Sequence, residues 1–213
     1  MKLARTVLAA AAVVIAAASV PAEAQSPKLG PPGANDYNAE VTFRMFTATC
    51  MRRLGKADDI MAWARQVRLT PVNDPQALAT FVGAAGTSSA QGSAKGGAWI
   101  LPSPNDRKFT LSIRATSKTC AVWAETGDPA TAEYLFKKLI EDSKRPGTTI
   151  ATDDDQSFTT ATGKSRLLTM SVTDTAGEGY QFTFMGGDTS GTFFSGAPVQ
   201  LSMQLTRLEG KKK

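Results

Sequence analysis

Hydrophobic and polar positions along the chain follow two different periods. Between residues 43 and 54 the apolar positions are three or four residues apart, which indicates a helix with one buried side that includes Cys50. The same spacing recurs in three later segments, and each follows an acidic residue suited to an N-cap: Asp58, Asp74 and Asp128. The second of these four helices is expected to bury Ile60, Ala64 and Val67. We therefore predict four amphipathic helices.

Alternating apolar and polar residues, the period of a half-buried strand, dominate the chain beyond residue 108. The stretches 108–114 and 119–124 predict a β-hairpin in which Cys120 and Val122 share one face. Four further strands are predicted towards the C-terminus, within the ranges 156–162, 166–173, 179–186 and 198–208. The acidic run 153–155 is interpreted as a solvated turn between strands.

These elements predict a single domain of the α+β class. Parallel strands need a long crossover connection, usually a helix, and only one helix separates the strands beyond residue 108. The sheet is therefore expected to be antiparallel, with helices packed on one face and the other face wet or lightly covered. We place the domain at residues 39–208, a length that is sufficient for one compact core.

Three segments show neither the helical period nor the strand period. Residues 25–38 are rich in Pro, Gly and Asn and are interpreted as a flexible leader. Residues 83–97 consist mostly of Gly, Ala and Ser without any bulky side chain, which favours a flexible loop. The last residues, 209–213, form a short basic tail.

Residues 1–24 have the pattern of a secretory signal peptide. Lys2 and Arg5 precede a continuous apolar stretch, and Ala22-Glu23-Ala24 fits the cleavage rule, with Gln25 as the first residue of the mature chain. A membrane anchor is the alternative, but the apolar stretch is short of the roughly 20 residues that cross a bilayer. We expect a soluble exported protein, periplasmic or secreted, with no transmembrane segment after cleavage.

The chain has two cysteines and no histidine. In an oxidising compartment two thiols usually form one disulfide. If the first helix packs on the hairpin, the sulfur atoms of Cys50 and Cys120 can meet, and we predict a structural disulfide between them. A reactive thiol is the alternative, although no histidine is present to lower its pKa.

The absence of histidine also limits the chemistry that the chain can perform. It excludes catalytic pairs of histidine with serine or cysteine, and it excludes histidine-ligated metals. We expect no catalytic residue, no metal site and no cofactor. The formal net charge is +5, but the basic residues are scattered and are not interleaved with aromatic residues, so nucleic acid is not expected as a partner.

Three segments together resemble a family of uncharacterised envelope proteins and lipoproteins of Gram-negative bacteria. They are "FRMFTATCMRRLGKADDIMAWA", "GGAWIL" and "TCAVWAETGDPA", and the resemblance covers about residues 40–142. It implies a location in the cell envelope and agrees with the pairing of Cys50 with Cys120. It implies no activity.

A non-catalytic binding or accessory module of the envelope is the function that we expect. The wet face of the predicted sheet is rich in Thr, Ser and Gln, and an envelope protein or a glycan is the expected partner. The loop 186–197 is the candidate binding segment, with Phe193, Phe194 and Asp188 as its candidate residues. Two alternatives are a carboxylate-based hydrolase of envelope polymers and a secreted protein inhibitor.

Overall fold

The computed structural model of the chain describes residues 36–53, 56–82, 96–103, 108–114, 118–160, 163–189 and 199–210. The predicted signal peptide, 1–24, lies outside these ranges, as do most of the leader, 25–38, and most of the loop, 83–97. The helices are α1 (Tyr37–Phe46), α2 (Ala57–Gln66), α3 (Pro75–Val82) and α4 (Pro129–Asp142). A π-helical turn, Thr47–Met51, continues α1.

The strands are β1 (Thr70–Pro71), β2 (Gly96–Leu101), β3 (Phe109–Arg114), β4 (Thr119–Ala124), β5 (Thr149–Thr160), β6 (Gly163–Thr173), β7 (Gly179–Gly187) and β8 (Leu201–Leu208). They form one sheet in the order β1-β2-β3-β4-β8-β7-β6-β5, and every neighbouring pair is antiparallel. After the β3–β4 hairpin, α4 carries the chain to the far edge at β5. The chain then returns through β6 and β7 to β8, which pairs with β4. The predicted α+β class is confirmed.

Aspartate side chains determine where three of the helices begin. Asp36, Asp74 and Asp128 each accept a hydrogen bond from the backbone N–H three residues later, at 2.7 to 2.8 Å. The predicted caps at Asp74 and Asp128 are thereby confirmed. Because Asp36 caps it, α1 begins at Tyr37, inside the predicted leader 25–38.

The prediction for the second helix is wrong in two details. Lys56 occupies the N-cap position of α2, so Asp58 lies in the first turn, where a negative charge favours the helix dipole. Ile60 and Ala64 are buried as expected. Val67 is 46% exposed because it follows the last helical residue.

The front face of the sheet, defined here as the face that carries Leu111, Val122 and Phe184, holds the main core. One row of aligned residues crosses this face from β2 to β6: Trp99, Leu111, Val122, Met203, Phe184 and Leu168. Buried side chains of α1, α2 and α4 pack in the same cluster. Full burial of each large apolar side chain contributes roughly 1.5–3 kcal/mol.

The opposite face, called the back face, has a smaller core under α3. Phe81 and Val82 of α3 pack with Ala121 and Trp123 of β4. The rings of Phe81 and Trp123 meet edge to face, with centroids 5.5 Å apart. The prediction that the helices pack on one face is therefore not confirmed, because α3 packs with the residues that point away from the main core.

Cys50 and Cys120 form a disulfide that joins the π-helical turn to β4. Their Cα atoms are 5.5 Å apart, and both side chains are fully buried in the main core. The predicted pairing is confirmed, and with both cysteines engaged the alternative of a reactive thiol is excluded.

The acidic run 153–155 lies inside β5, so the prediction of a turn is wrong. A bulge between Thr152 and Asp154 places Asp153 outside the regular register. Asp153 accepts hydrogen bonds from Ser171 and Gln181, both at 3.0 Å. At the edge of the sheet these carboxylates reach either solvent or a hydrogen-bond donor, which is why a charged run is compatible with a strand here.

Candidate ligand-binding groove

A groove with a volume of about 480 Å³ opens at one end of the front face. It lies where the helical cover stops, since Met51 ends the π-helical turn and Ser143 directly follows α4. Strands β6, β7 and β8 form the floor. The volume falls within the range of about 300–1,000 Å³ that is usual for small-molecule sites.

Most of the floor and one wall of the groove are apolar. The apolar residues that line it are Met51, Val172, Tyr180, Phe182 and Leu208. Val172 and Phe182 are buried, and the other three are half-buried. Because Met51 directly follows Cys50, the disulfide to β4 holds this wall against the sheet.

Four charged residues line the same groove: Arg145, Arg207, Asp174 and Glu178. All four are exposed. Arg207 is the Cα partner of Tyr180 across β7 and β8, so its side chain projects from the front face beside that ring. The Nη1 atom of Arg145 donates to two backbone oxygens at the end of α4, those of Asp142 and Lys144, at 3.1 and 3.0 Å.

Asp174 shapes the turn between β6 and β7. Its Oδ1 atom accepts hydrogen bonds from the N–H groups of Ala176 and Glu178, at 2.8 and 3.0 Å. The carboxylate of Glu178 makes no hydrogen bond among the described residues. None of the ion pairs found there involves any of the four charges that line the groove.

A second cavity, of about 330 Å³, lies near the other end of α4, beside Pro129. Lys164, Arg166 and Asp188 contribute to its lining. Arg166 is already engaged, because it forms ion pairs with Glu133 at 3.1 Å and with Asp155. This cavity therefore has fewer uncommitted charges than the groove.

The ion pairs of Arg166 displace the pKa values of its partners. Burial alone would raise the pKa of Glu133, but hydrogen bonds from Arg166 and Lys137 outweigh this effect and hold it below the ordinary value. The hydrogen bond from Arg166 likewise lowers the pKa of Asp155, and the two carboxylates raise the pKa of Arg166. All three groups are charged at neutral pH, as a structural ion-pair network requires.

The predicted binding residue Asp188 lies at the second cavity and not at the groove. It follows the end of β7 that is remote from the groove. Its Oδ2 accepts from the N–H of Lys164 at 3.1 Å, and Gln200 Nε2 donates to its carbonyl oxygen at 3.2 Å. These bonds connect the start of β6, the end of β7 and the residue before β8. Phe193 and Phe194 lie outside the described residues.

The groove itself was not predicted from the sequence. Its floor residues were expected only as the buried side of two strands, and its wall depends on the tertiary position of Met51 and the end of α4. The one available signal was Arg207, which breaks the apolar run of Leu201, Met203 and Leu205 on the same face of β8.

The parts of the chain that the structure describes contain no group of three or more Cys, Asp or Glu side chains placed to hold a metal ion. No helix within them is both long enough and apolar enough to span a bilayer. Comparison with protein-family models, with curated proteins and with solved structures finds no match for this chain.

Proposed function

We propose that this chain is an exported, non-catalytic binding module of the cell envelope, and that the groove is its ligand site. The observation that carries the proposal is the groove itself, in which an apolar floor lies beside four charges that are not paired with one another. An apolar cavity with a few convergent polar groups is the usual form of a small-molecule site. Binding requires no acid, base or nucleophile of the kind that the sequence lacks.

Export is supported by the disulfide and by the N-terminal pattern. A buried disulfide is typical of proteins that fold in an oxidising compartment, which agrees with a periplasmic or secreted location. N-terminal sequencing of the protein isolated from its host tests this part of the proposal. A chain that begins at Gln25 in the envelope or medium supports export, and a full-length chain in the cytosol contradicts it.

The ligand site is tested with N-phenyl-1-naphthylamine, an uncharged dye that fluoresces in apolar surroundings. We expect saturable binding of one dye molecule per protein. Met51→Trp fills the groove and should weaken binding at least about tenfold, since a displaced aromatic ring loses most of its buried area. Tyr134→Ala, which removes an exposed aromatic ring of α4, is the matched control and should bind as the unmodified protein does.

A partner on the back face, an envelope protein or a glycan, is less favoured by the hydrogen bonds found there. Thr119 and Thr206 share a hydrogen bond of 2.8 Å, and Asp153 engages Ser171 and Gln181. A ligand on this face would have to replace bonds that are already formed. Among the described residues, the side-chain charges of Glu178 and Arg207 at the groove make no such bonds.

A carboxylate-based hydrolase is the second candidate, because Asp174 and Glu178 line the same groove. Asp174 is committed to the turn through two backbone N–H groups, which favours a structural role for it. Release of soluble fragments from purified envelope polymers distinguishes the two functions. A binding module releases none, whereas a hydrolase releases fragments at a rate that Glu178→Gln abolishes.

A further inference from the structure

We infer that the groove selects a zwitterionic amphiphile with a single apolar chain, a phosphate and an ammonium group. The inference rests on the proposed function and deepens it, since it concerns the chemistry of the ligand in the same groove. The apolar chain lies on the floor over Phe182 and Val172. The arginines bind the phosphate, and Glu178 binds the ammonium group.

The apolar floor of the groove accounts for the apolar chain that we infer for the ligand. Val172, Tyr180 and Phe182 form a continuous apolar surface on β6 and β7, and Met51 faces it from the π-helical turn. The volume of about 480 Å³ is in the lower half of the range of about 300–1,000 Å³ for small-molecule sites. A single chain fits this volume better than a pair of chains.

The arginines account for the phosphate. Among the described residues no hydrogen bond uses the guanidinium group of Arg207, and Arg145 uses only its Nη1 atom. Both groups therefore have N–H donors available, in the planar arrangement that suits a phosphate. Tyr180, opposite Arg207 in the register, also lines the groove.

The acidic residues account for the ammonium group. Glu178 has no ion-pair partner among the described residues, although Arg207 lines the same groove. Two charges of each sign around one apolar groove are complementary to a ligand that carries both signs.

A ligand of one sign would satisfy only half of these charges. An anionic amphiphile would place its charge near Glu178 and Asp174, and a cationic one would place its charge near Arg145 and Arg207. Each would leave either Glu178 or Arg207 without a ligand partner, so the ligand would gain less binding free energy. A zwitterion can pair with both.

The test uses three lysolipids with the same acyl chain, each below its critical micelle concentration, in competition with N-phenyl-1-naphthylamine. They are lysophosphatidylethanolamine, which is zwitterionic, lysophosphatidylglycerol, which is anionic, and monoacylglycerol, which is uncharged. We expect the zwitterion to bind about tenfold more tightly than either of the others, as hydrogen bonds between charged groups allow. Glycerophosphoethanolamine, the head group without a chain, should not displace the dye.

Two variants separate the contributions of the two charges. Glu178→Gln should remove the preference for the zwitterionic over the anionic lysolipid. Arg207→Gln should weaken both phospholipids about tenfold and leave monoacylglycerol unchanged. The matched controls are Glu141→Gln and Arg65→Gln, which remove the same charges from exposed positions outside the groove and should change nothing.

The outcomes distinguish failure of this inference from failure of the proposed function. Equal affinity for all three lysolipids, with dye binding still sensitive to Met51→Trp, overturns the inference of a zwitterionic ligand. The groove then remains the ligand site. Displacement by the head group alone, or lysolipid binding that Met51→Trp does not weaken, also overturns the inference. If the dye does not bind at all, the proposed function fails together with this inference.

Discussion

Arg166 on β6 and Glu133 on α4 form a bidentate ion pair. The Nε and Nη2 atoms of Arg166 donate to the two carboxylate oxygens of Glu133, at 3.2 and 3.1 Å. The side chains are only 22% and 20% exposed. The pair therefore fixes the position of α4 on the sheet, and the C-terminal end of α4 is one border of the groove.

Removal of this pair should destabilise the fold measurably. We expect Arg166→Gln to lower the free energy of unfolding by about 1–2 kcal/mol, because hydrogen bonds between charged groups are lost and Glu133 stays partly buried. Urea denaturation measures the change. Lys138→Gln breaks an exposed ion pair of α4 with Asp142 and should cost less than about 0.5 kcal/mol. Equal effects of the two substitutions would contradict the role given to Arg166.

The stabilisation by Arg166 should depend on pH in the acidic range. The pKa values of Glu133 and Asp155 are lowered in the folded protein, so both carboxylates bind protons more readily when the chain is unfolded. Their contribution is complete above the unfolded-state values of about 4.3 and 3.9 and is lost as the pH falls through the folded-state values. The difference in stability between wild type and Arg166→Gln should therefore be constant from pH 7 to 5 and shrink below about pH 4. A difference that persists unchanged at pH 2 would refute this.

The disulfide should be a large contributor to stability. It closes a loop with a sequence separation of 70, for which the chain-entropy model gives about 4 kcal/mol. We expect the double variant Cys50→Ala/Cys120→Ala to unfold at a much lower urea concentration, with weaker dye binding because the Met51 wall is released. Wild-type protein treated with a reductant is the parallel measurement. An unchanged unfolding midpoint in the double variant and in the reduced protein would show that the disulfide is dispensable for stability.

The hydrogen bond between Trp123 and Ser112 should stabilise the back-face core. The indole Nε1 donates to the Ser112 hydroxyl at 2.7 Å, and both residues are buried. Ser112→Ala removes this acceptor and should cost about 1–2 kcal/mol in thermal or urea unfolding. Thr175→Ala, at an exposed turn position, is the control and should change stability by less than about 0.5 kcal/mol. A cost for Ser112→Ala within that limit would mean that the bond contributes little.

Local patterns were sufficient for most of the secondary structure. The caps at Asp74 and Asp128 depend on backbone groups three residues away, so the sequence contains the whole determinant. The same holds for the two ion pairs along α4, Glu133 with Lys137 and Lys138 with Asp142, because each joins residues four positions apart. Alternation likewise predicted β3, β4, β6, β7 and β8, but it did not predict β1, β2 or the first half of β5.

The side of the sheet that each helix covers was not a local property. Helix α3 packs on the back face because Ala121 and Trp123 present an apolar patch there, next to the buried Ala98. The apolar pair Ala121 and Trp123 was visible in the sequence as the second face of the hairpin. A strand that is apolar on both faces, as β4 is, indicates that both faces are covered.

The groove could not be derived from the sequence for a related reason. Its wall and floor bring Met51 next to residues more than a hundred positions later, such as Phe182. A periodic pattern within one helix or strand contains no information about contacts between residues so far apart in the sequence. The candidate residues Phe193, Phe194 and Asp188 follow from local composition alone. Asp188, the one of the three that the structure describes, lies at the other end of β7.

Native mass spectrometry of the protein isolated from its own host, without reductant, tests the central claim that the groove holds a ligand. We predict that wild type and Tyr134→Ala carry an additional mass that disappears on denaturation, and that Met51→Trp, with its disulfide intact, does not. The size of that mass would identify the ligand. A wild-type protein without additional mass, or a mass retained by Met51→Trp, would contradict the claim.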